Sequence, residues 1–246
     1  MRWRQRGLSI IELMVALLLS SFLILVVTQL YLDNKRHYLF QQGQVGNGDN
    51  GRTALLLLDQ QLARAGFRAN PVNQSTLAGA FASRGAGDGC PAFDQAQTVV
   101  MTTDNNGICL RYRGATNGAD LDCLGNPIAA AVNGTEIVTR ISYVADPDQV
   151  PGQGYLTCSA QGQSAQTIIS GLSDFVWFQL PTAAQNSQAV RYAALFSSRA
   201  SLTDGIANTA MAGNWKTLTG RDVTAAAQTR VLQIVQGSVT LRNLMP

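Results

Sequence analysis

LSIIELMVALLLSSFLILVVTQLYL, residues Leu8 to Leu32, is apolar at nearly every position, and the rest of the chain is organised around it. Twenty-five residues at about 1.5 Å rise cover roughly 37 Å of helix, against a bilayer core about 30 Å thick. Arg2, Arg4 and Arg6 precede the run, so the positive-inside rule keeps the N-terminus in the cytoplasm and sends the bulk of the chain outward. An ordinary secretory signal would end in a small-x-small site near residues 25–30, where this chain reads Leu25-Val26-Val27-Thr28-Gln29-Leu30. A plain anchor has no use for a carboxylate inside its apolar run, yet Glu12 sits there. Such a charge costs about 2.5–3.5 kcal/mol at the bilayer centre and less near the interface, so Glu12 is expected to serve a function and to need a partner.

Outward from this segment the composition narrows the choices. Of the 246 residues only 13% are charged, which argues against a disordered chain or a nucleic-acid binder. The net charge of +3 belongs to Arg2, Arg4 and Arg6: 18 basic residues less these three leave 15, against 15 acidic ones. The basic residues are therefore a topology signal, and no polyanion-binding surface follows from them. Cys90, Cys109, Cys123 and Cys158 contain no C-x-x-C pair, and the only histidine, His37, lies far from them, which gives zinc little support. An even cysteine count beyond a membrane segment fits disulfides in an oxidising compartment. Four cysteines allow three connectivities; Cys90–Cys109 with Cys123–Cys158 closes the short loops.

Past the membrane run, Asp33 to Gln44 (DNKRHYLFQQGQ) reads as a polar continuation of the helix. Glycines at 43, 46, 48 and 51 lower helix propensity there and leave the middle open between helical, bent and melted. Periodicity returns with Leu55, Leu58 and Leu62, expected to pack on a sheet, and Gly66 and Pro71 suit the helix end. If Leu8 to Ala65 is one helix, it is about 87 Å long. After Pro71, β-prone runs alternate with turns. Strands are predicted at Thr98–Thr102, Ile108–Tyr112, Ile137–Val144, Tyr155–Cys158, Phe175–Leu180, Val190–Phe196 and Val231–Leu241. Residues 70–90, 114–134, 145–153 and 198–225 read as loops. Ser201–Thr219 shows no apolar periodicity and is expected to be dispensable to the core. The layout is α+β, a long helix followed by an antiparallel sheet.

The chemical inventory is short. His37, the one candidate base, sits on a polar helix and is expected to be a solvated surface residue. Neither G-x-x-x-x-G-K-[ST] nor G-x-G-x-x-G before a suitable helix occurs, so hydrolysis of a nucleotide falls to another protein. Asp104-Asn105-Asn106-Gly107 has calcium-type oxygens without the spacing of a full loop, and reads as a β-turn. Strand alternation puts Phe175 and Trp177 on one sheet face and Phe178 on the other, which favours core packing over an adhesive ridge. A bitopic envelope enzyme is disfavoured by this empty inventory, and no cofactor is expected.

Gly7-Leu8-Ser9-Ile10-Ile11-Glu12-Leu13 resembles the class III signal of type IV prepilins and pseudopilins. The resemblance implies cleavage after Gly7 by a prepilin peptidase, N-methylation of Leu8, and Glu12 as the fifth mature residue, pairing with the α-amine of a neighbouring subunit. This chain departs from the family at Leu8, where phenylalanine is usual. Leu62-Ala63-Arg64-Ala65-Gly66-Phe67-Arg68, Asp122-Cys123-Leu124-Gly125, Tyr155-Leu156-Thr157-Cys158, Gly171-Leu172-Ser173-Asp174-Phe175, Ala189-Val190-Arg191-Tyr192 and Val239-Thr240-Leu241-Arg242-Asn243 resemble the PilW family of minor pilins. Ser201–Gly220 does not align with that family. J-type pseudopilins of type II secretion are similar in the terminal regions. The implied fold is pilin-like, with a leader over 1–7, a transmembrane and filament-core helix over 8–32, its continuation over 33–66 and a periplasmic β-rich domain over 67–246. The implied role is that of a minor pilin in a priming or tip complex, with other minor pilins, the major pilin, a tip adhesin and the inner-membrane assembly platform as partners. Its place would be the inner membrane and the extracellular pilus, in support of motility and adhesion.

Overall fold

Helix α1 runs unbroken from Ile10 to Leu62, 53 residues. The computed structural model describes residues 9–146, 148, 150–178, 188–202 and 209–245. Gly7 and Leu8 lie outside the described residues, as do Gln179 and Leu180 at the end of the strand predicted over Phe175–Leu180. The chain divides into two compact units, Met1–Gln42 and Gly43–Pro246.

As far as Leu32, α1 is apolar on nearly every side, as the sequence of Leu8–Leu32 dictates, and from Asp33 its surface turns polar. In the second unit the glycine-rich run is helical, and two of its glycines have a packing reason. A Cβ on Gly43 would stand 2.9 Å from Cβ of Ser198, and one on Gly51 would stand 2.8 Å from Cγ2 of Val235. Between them the buried Asn47 donates from Nδ2 to the Val231 carbonyl at 2.8 Å. Glycines two turns apart thus let the helix backbone lie close on the sheet. Further along, Ala54, Leu58 and Leu62 form the buried stripe. Leu55, expected on that stripe with Leu58 and Leu62, is exposed, because Ala54 occupies the inward position one residue earlier. Gly66 follows in the left-handed region (φ 71°), and its N–H donates to the Arg111 carbonyl at 2.9 Å, which turns the chain into the β-rich part.

Seven described strands form one antiparallel meander in chain order: β1 (Val99–Met101), β2 (Gly107–Arg113), β3 (Glu136–Val144), β4 (Gly154–Ala160), β5 (Gln166–Trp177), β6 (Ala189–Ser201) and β7 (Arg230–Thr240). Each predicted strand overlaps one of these. The largest difference is β5, which starts nine residues ahead of the predicted Phe175. Register shifts on both sides of β5 insert extra residues, so Ile169, Leu172 and Phe175 share a face at a spacing of three. Bulges destroy the period-two signal from which a strand is read.

One sheet face holds the main core. Ala54, Leu58, Leu62 and Ala65 pack there with Ile108, Leu110, Ile141, Leu156, Phe175, Tyr192 and Phe196. Phe175 and Trp177 lie on this face, with centroids 4.8 Å apart in an edge-on pair, and Phe178 packs on the other side. The opposite face is covered in two places. Helix α3 (Thr209–Thr219) sets Trp215 on Ala193, Leu195 and Leu232. The segment around Phe81 and Phe93, with the short helix α2 (Leu77–Ala80), covers the β1–β3 end with Cys90, Cys109 and Val138. Helix α3 corrects the loop expected over 198–225 and the dispensability expected of Ser201–Thr219. Trp215 is 0% exposed, and Met211 and Leu218 pack beside it at helical spacing, a short apolar row on the covered face. Disulfides join Cys90 to Cys109 and Cys123 to Cys158.

Candidate functional site

Glu12 stands in the first turn of α1, where Ser9 O accepts from the N–H groups of Glu12 and Leu13 at 3.1 Å. A carboxylate there meets the positive end of the helix dipole, which favours its charge. Glu12 is exposed, as are Ile10, Leu17, Ile24 and the other large apolar residues as far as Leu32. The helix is long and apolar enough to cross a membrane, and none of its most apolar window is buried within the chain. Its hydroxyls turn back on the helix: Ser20, Ser21 and Thr28 donate to the carbonyls of Leu17, Leu18 and Ile24 at 3.0, 2.9 and 2.7 Å. A stave of this kind shows apolar surface with these hydroxyls satisfied, suited to lipid or to other helices.

The remaining candidates take structural places. His37 is exposed on α1. Asp104 forms the turn between β1 and β2, accepting from Thr102 Oγ1 at 2.6 Å and from the Asn106 N–H at 3.1 Å. The Thr102 hydrogen bond, ahead of smaller effects, holds its carboxyl below the usual aspartate range. Among the described residues no group of three or more His, Cys, Asp or Glu side chains converges as a metal site. A cleft of about 330 Å³ lies between Tyr143, Asp174 and Arg221, where Tyr143 donates its hydroxyl to the Ser173 carbonyl at 3.1 Å.

Two clusters were missed in the sequence. Arg111, on β2, is 0% exposed: Nε donates to Gln97 O at 2.6 Å, Nη1 to Ala82 O at 2.6 Å and Nη2 to Asp94 O at 2.9 Å. Its guanidinium lies 5.3 Å from the Phe81 ring centroid and 5.0 Å from that of Phe93, with Glu136 Oε1 at 3.5 Å. Burial pulls its pKa down, Glu136 opposing. The arginine ties the covering segment to the sheet. The second cluster holds α3: Asp174 accepts from Trp215 Nε1 at 3.1 Å and from Arg221 Nη1 at 3.0 Å. The alternation of β2, with Ile108, Leu110 and Tyr112 facing α1, was the available sign that Arg111 points to the opposite face. Nothing in the sequence shows that the opposite face is covered.

Comparison with known proteins bears on the stave. Residues 4–28 match the prokaryotic N-terminal methylation motif. No curated protein matches the chain. Among solved structures, a type IV-like pilin from Thermus thermophilus is similar, with a TM-score of 0.46 and 12% identity over 81% of this chain and 97% of that one. The chain therefore carries an N-terminal methylation motif that begins among the basic N-terminal residues and runs into the exposed apolar helix.

Proposed function

We propose that the chain is made as a prepilin, cut after Gly7, N-methylated on Leu8 and assembled through α1 as a minor pilin of the PilW kind. It primes type IV pilus assembly with other minor pilins, contacts the major pilin, a tip adhesin and the inner-membrane platform, and catalyses no reaction. It waits in the inner membrane with its sheet domain in the periplasm and passes into the extracellular pilus. The observation that carries this reading is the methylation motif over 4–28 on a helix whose apolar surface its own chain leaves bare. Glu12 gains its partner when cleavage creates the α-amine of Leu8 on a neighbour: a lone carboxylate in an apolar helix bundle is unfavourable, and a paired one is accommodated.

The test is the mature N-terminus. Mass analysis of protein expressed with its own prepilin peptidase is expected to show a chain starting at methylated Leu8; an intact leader refutes the reading. Glu12→Ala is expected to lower incorporation into filaments in competition with wild type while leaving thermal unfolding of Gly43–Pro246 unchanged. Capture of secretion pseudopilins in place of minor pilins would transfer the subunit to a type II secretion system.

A further inference from the structure

Just beyond the apolar run, α1 presents Tyr31, Lys35, Arg36, His37 and Tyr38, all exposed. At about 100° per residue Tyr31, Lys35 and Tyr38 fall within roughly 60° of one another, with Lys35 between the two phenols along the axis. Asp33 is the only carboxylate between Glu12 and Asp49, so this ring is cationic on balance. The ion pairs among the described residues lie between Arg84 and Asp222, and none involves Lys35 or Arg36. From Leu32 to Tyr38 the helix rises about 9 Å. A headgroup layer is about 5–8 Å deep on each side of the bilayer core. The ring begins where the apolar run ends and rises enough to cross the layer that follows.

We propose that this segment is a lipid-binding collar. Tyr31 and Tyr38 settle at the headgroup level, where an apolar ring with a polar tip is favoured, and Lys35 and Arg36 pair with the phosphates of anionic phospholipid. The collar sets how deep the helix sits before it leaves the membrane. Loss of Arg2, Arg4 and Arg6 with the leader would leave it the chief cationic anchor of the stave. Charge complementarity and continuity with the apolar run favour a lipid surface over a protein partner. The inference rests on the reading that Leu8–Leu32 spans a membrane, and its test separates the two.

The full chain is reconstituted into vesicles of phosphatidylcholine alone or with phosphatidylglycerol. Spin labels at Leu18→Cys or Asn34→Cys report depth from the ratio of oxygen to water-soluble nickel relaxation. The Leu18 label is expected in the hydrocarbon in every vesicle. The Asn34 label is expected to move by about 3 Å, two residues of helix rise, when phosphatidylglycerol is added. High salt should abolish that movement, as should Lys35→Gln with Arg36→Gln. An Asn34 label at one depth in both lipids and at all salt concentrations, with Leu18 still in the hydrocarbon, overturns the collar and leaves the ring to a protein partner. A Leu18 label open to nickel overturns the membrane reading and the collar with it. The comparison of lipids and salt needs no substitution in the ring, so a poorly folded variant cannot decide the result.

Discussion

At the scale of single residues, the second unit depends on side chains whose burial is paid for by few partners. Arg111 is fully enclosed and holds three carbonyls at 2.6–2.9 Å, with Glu136 as its weaker counter-ion. Arg111→Met would fit the volume but leave those carbonyls and Glu136 unpartnered. Breaking a buried, hydrogen-bonded charge of this kind is expected to lower stability by about 3–5 kcal/mol, and Arg111→Lys to recover little because an ammonium cannot fork. Urea unfolding of the detergent-solubilised chain measures both. The tyrosines give a pH dependence of known sign. Burial raises the pKa of Tyr112 and Tyr143, and pushes that of Tyr192 up to about 12. Below pH 10 the phenols are neutral folded or unfolded, and the stability from their burial is fully present. As the pH rises from 10 toward 12 the unfolded chain ionises first, and that stability is lost. Phenolate absorbance beyond that of the other tyrosines, such as the exposed Tyr31 and Tyr38, should therefore appear together with the fall of the unfolding midpoint; its appearance without loss of structure would show the three rings to be open to water.

At the scale of elements, the glycines of α1 separate into two kinds. Gly46 and Gly48 face open space, so Gly46→Ala and Gly48→Ala should each stabilise by about 0.5–1 kcal/mol. Gly51→Ala should destabilise, because its Cβ would meet Val235 Cγ2 at 2.8 Å. Opposite shifts of the thermal midpoint are the expected readout, and equal ones would mean that α1 does not lie on β7 as described. Helix α3 is seated chiefly by Trp215, with Met211 and Leu218 beside it. Trp215→Ala removes the largest buried side chain and the donor to Asp174, at a cost of about 3–5 kcal/mol, and near-ultraviolet circular dichroism should report the loosened face. By the same argument, deletion of Ser201–Thr219 uncovers Ala193 and Leu195 and should abolish the fold, contrary to what its composition suggests.

At the scale of the whole molecule, both disulfides lie in the second unit, and each ties a loop to a strand, Cys90 to Cys109 on β2 and Cys123 to Cys158 on β4. In the chain-entropy picture a separation of 19 residues gives about 3 kcal/mol and one of 35 about 4 kcal/mol. Reduction is therefore expected to lower the urea midpoint of Gly43–Pro246, and non-reducing mass analysis to show about 4 Da less than the reduced chain. Four free thiols in protein taken from the periplasm would contradict this. The stave and the sheet unit then divide the labour. A generic apolar helix packs beside any similar helix, so on the proposed reading selection among partners is expected to fall to the loops and faces of the second unit.

By itself the sequence determined the apolar stave, the N-terminal methylation motif and the places of the strands. These are local signals: an uninterrupted apolar run, a fixed spacing from a glycine, an alternation between turn residues. It also left the glycine run of α1 undecided, read Ser201–Thr219 as dispensable and gave no sign of Arg111 as a buried anchor. Those outcomes depend on partners far away in the chain. Gly51 is explained by Val235, Trp215 by Asp174, and Arg111 by Ala82, Asp94 and Gln97. Only the tertiary structure decided which sheet face α1 takes and that the other is covered as well, because a side chain's burial is set by what the fold brings against it and not by its neighbours in sequence.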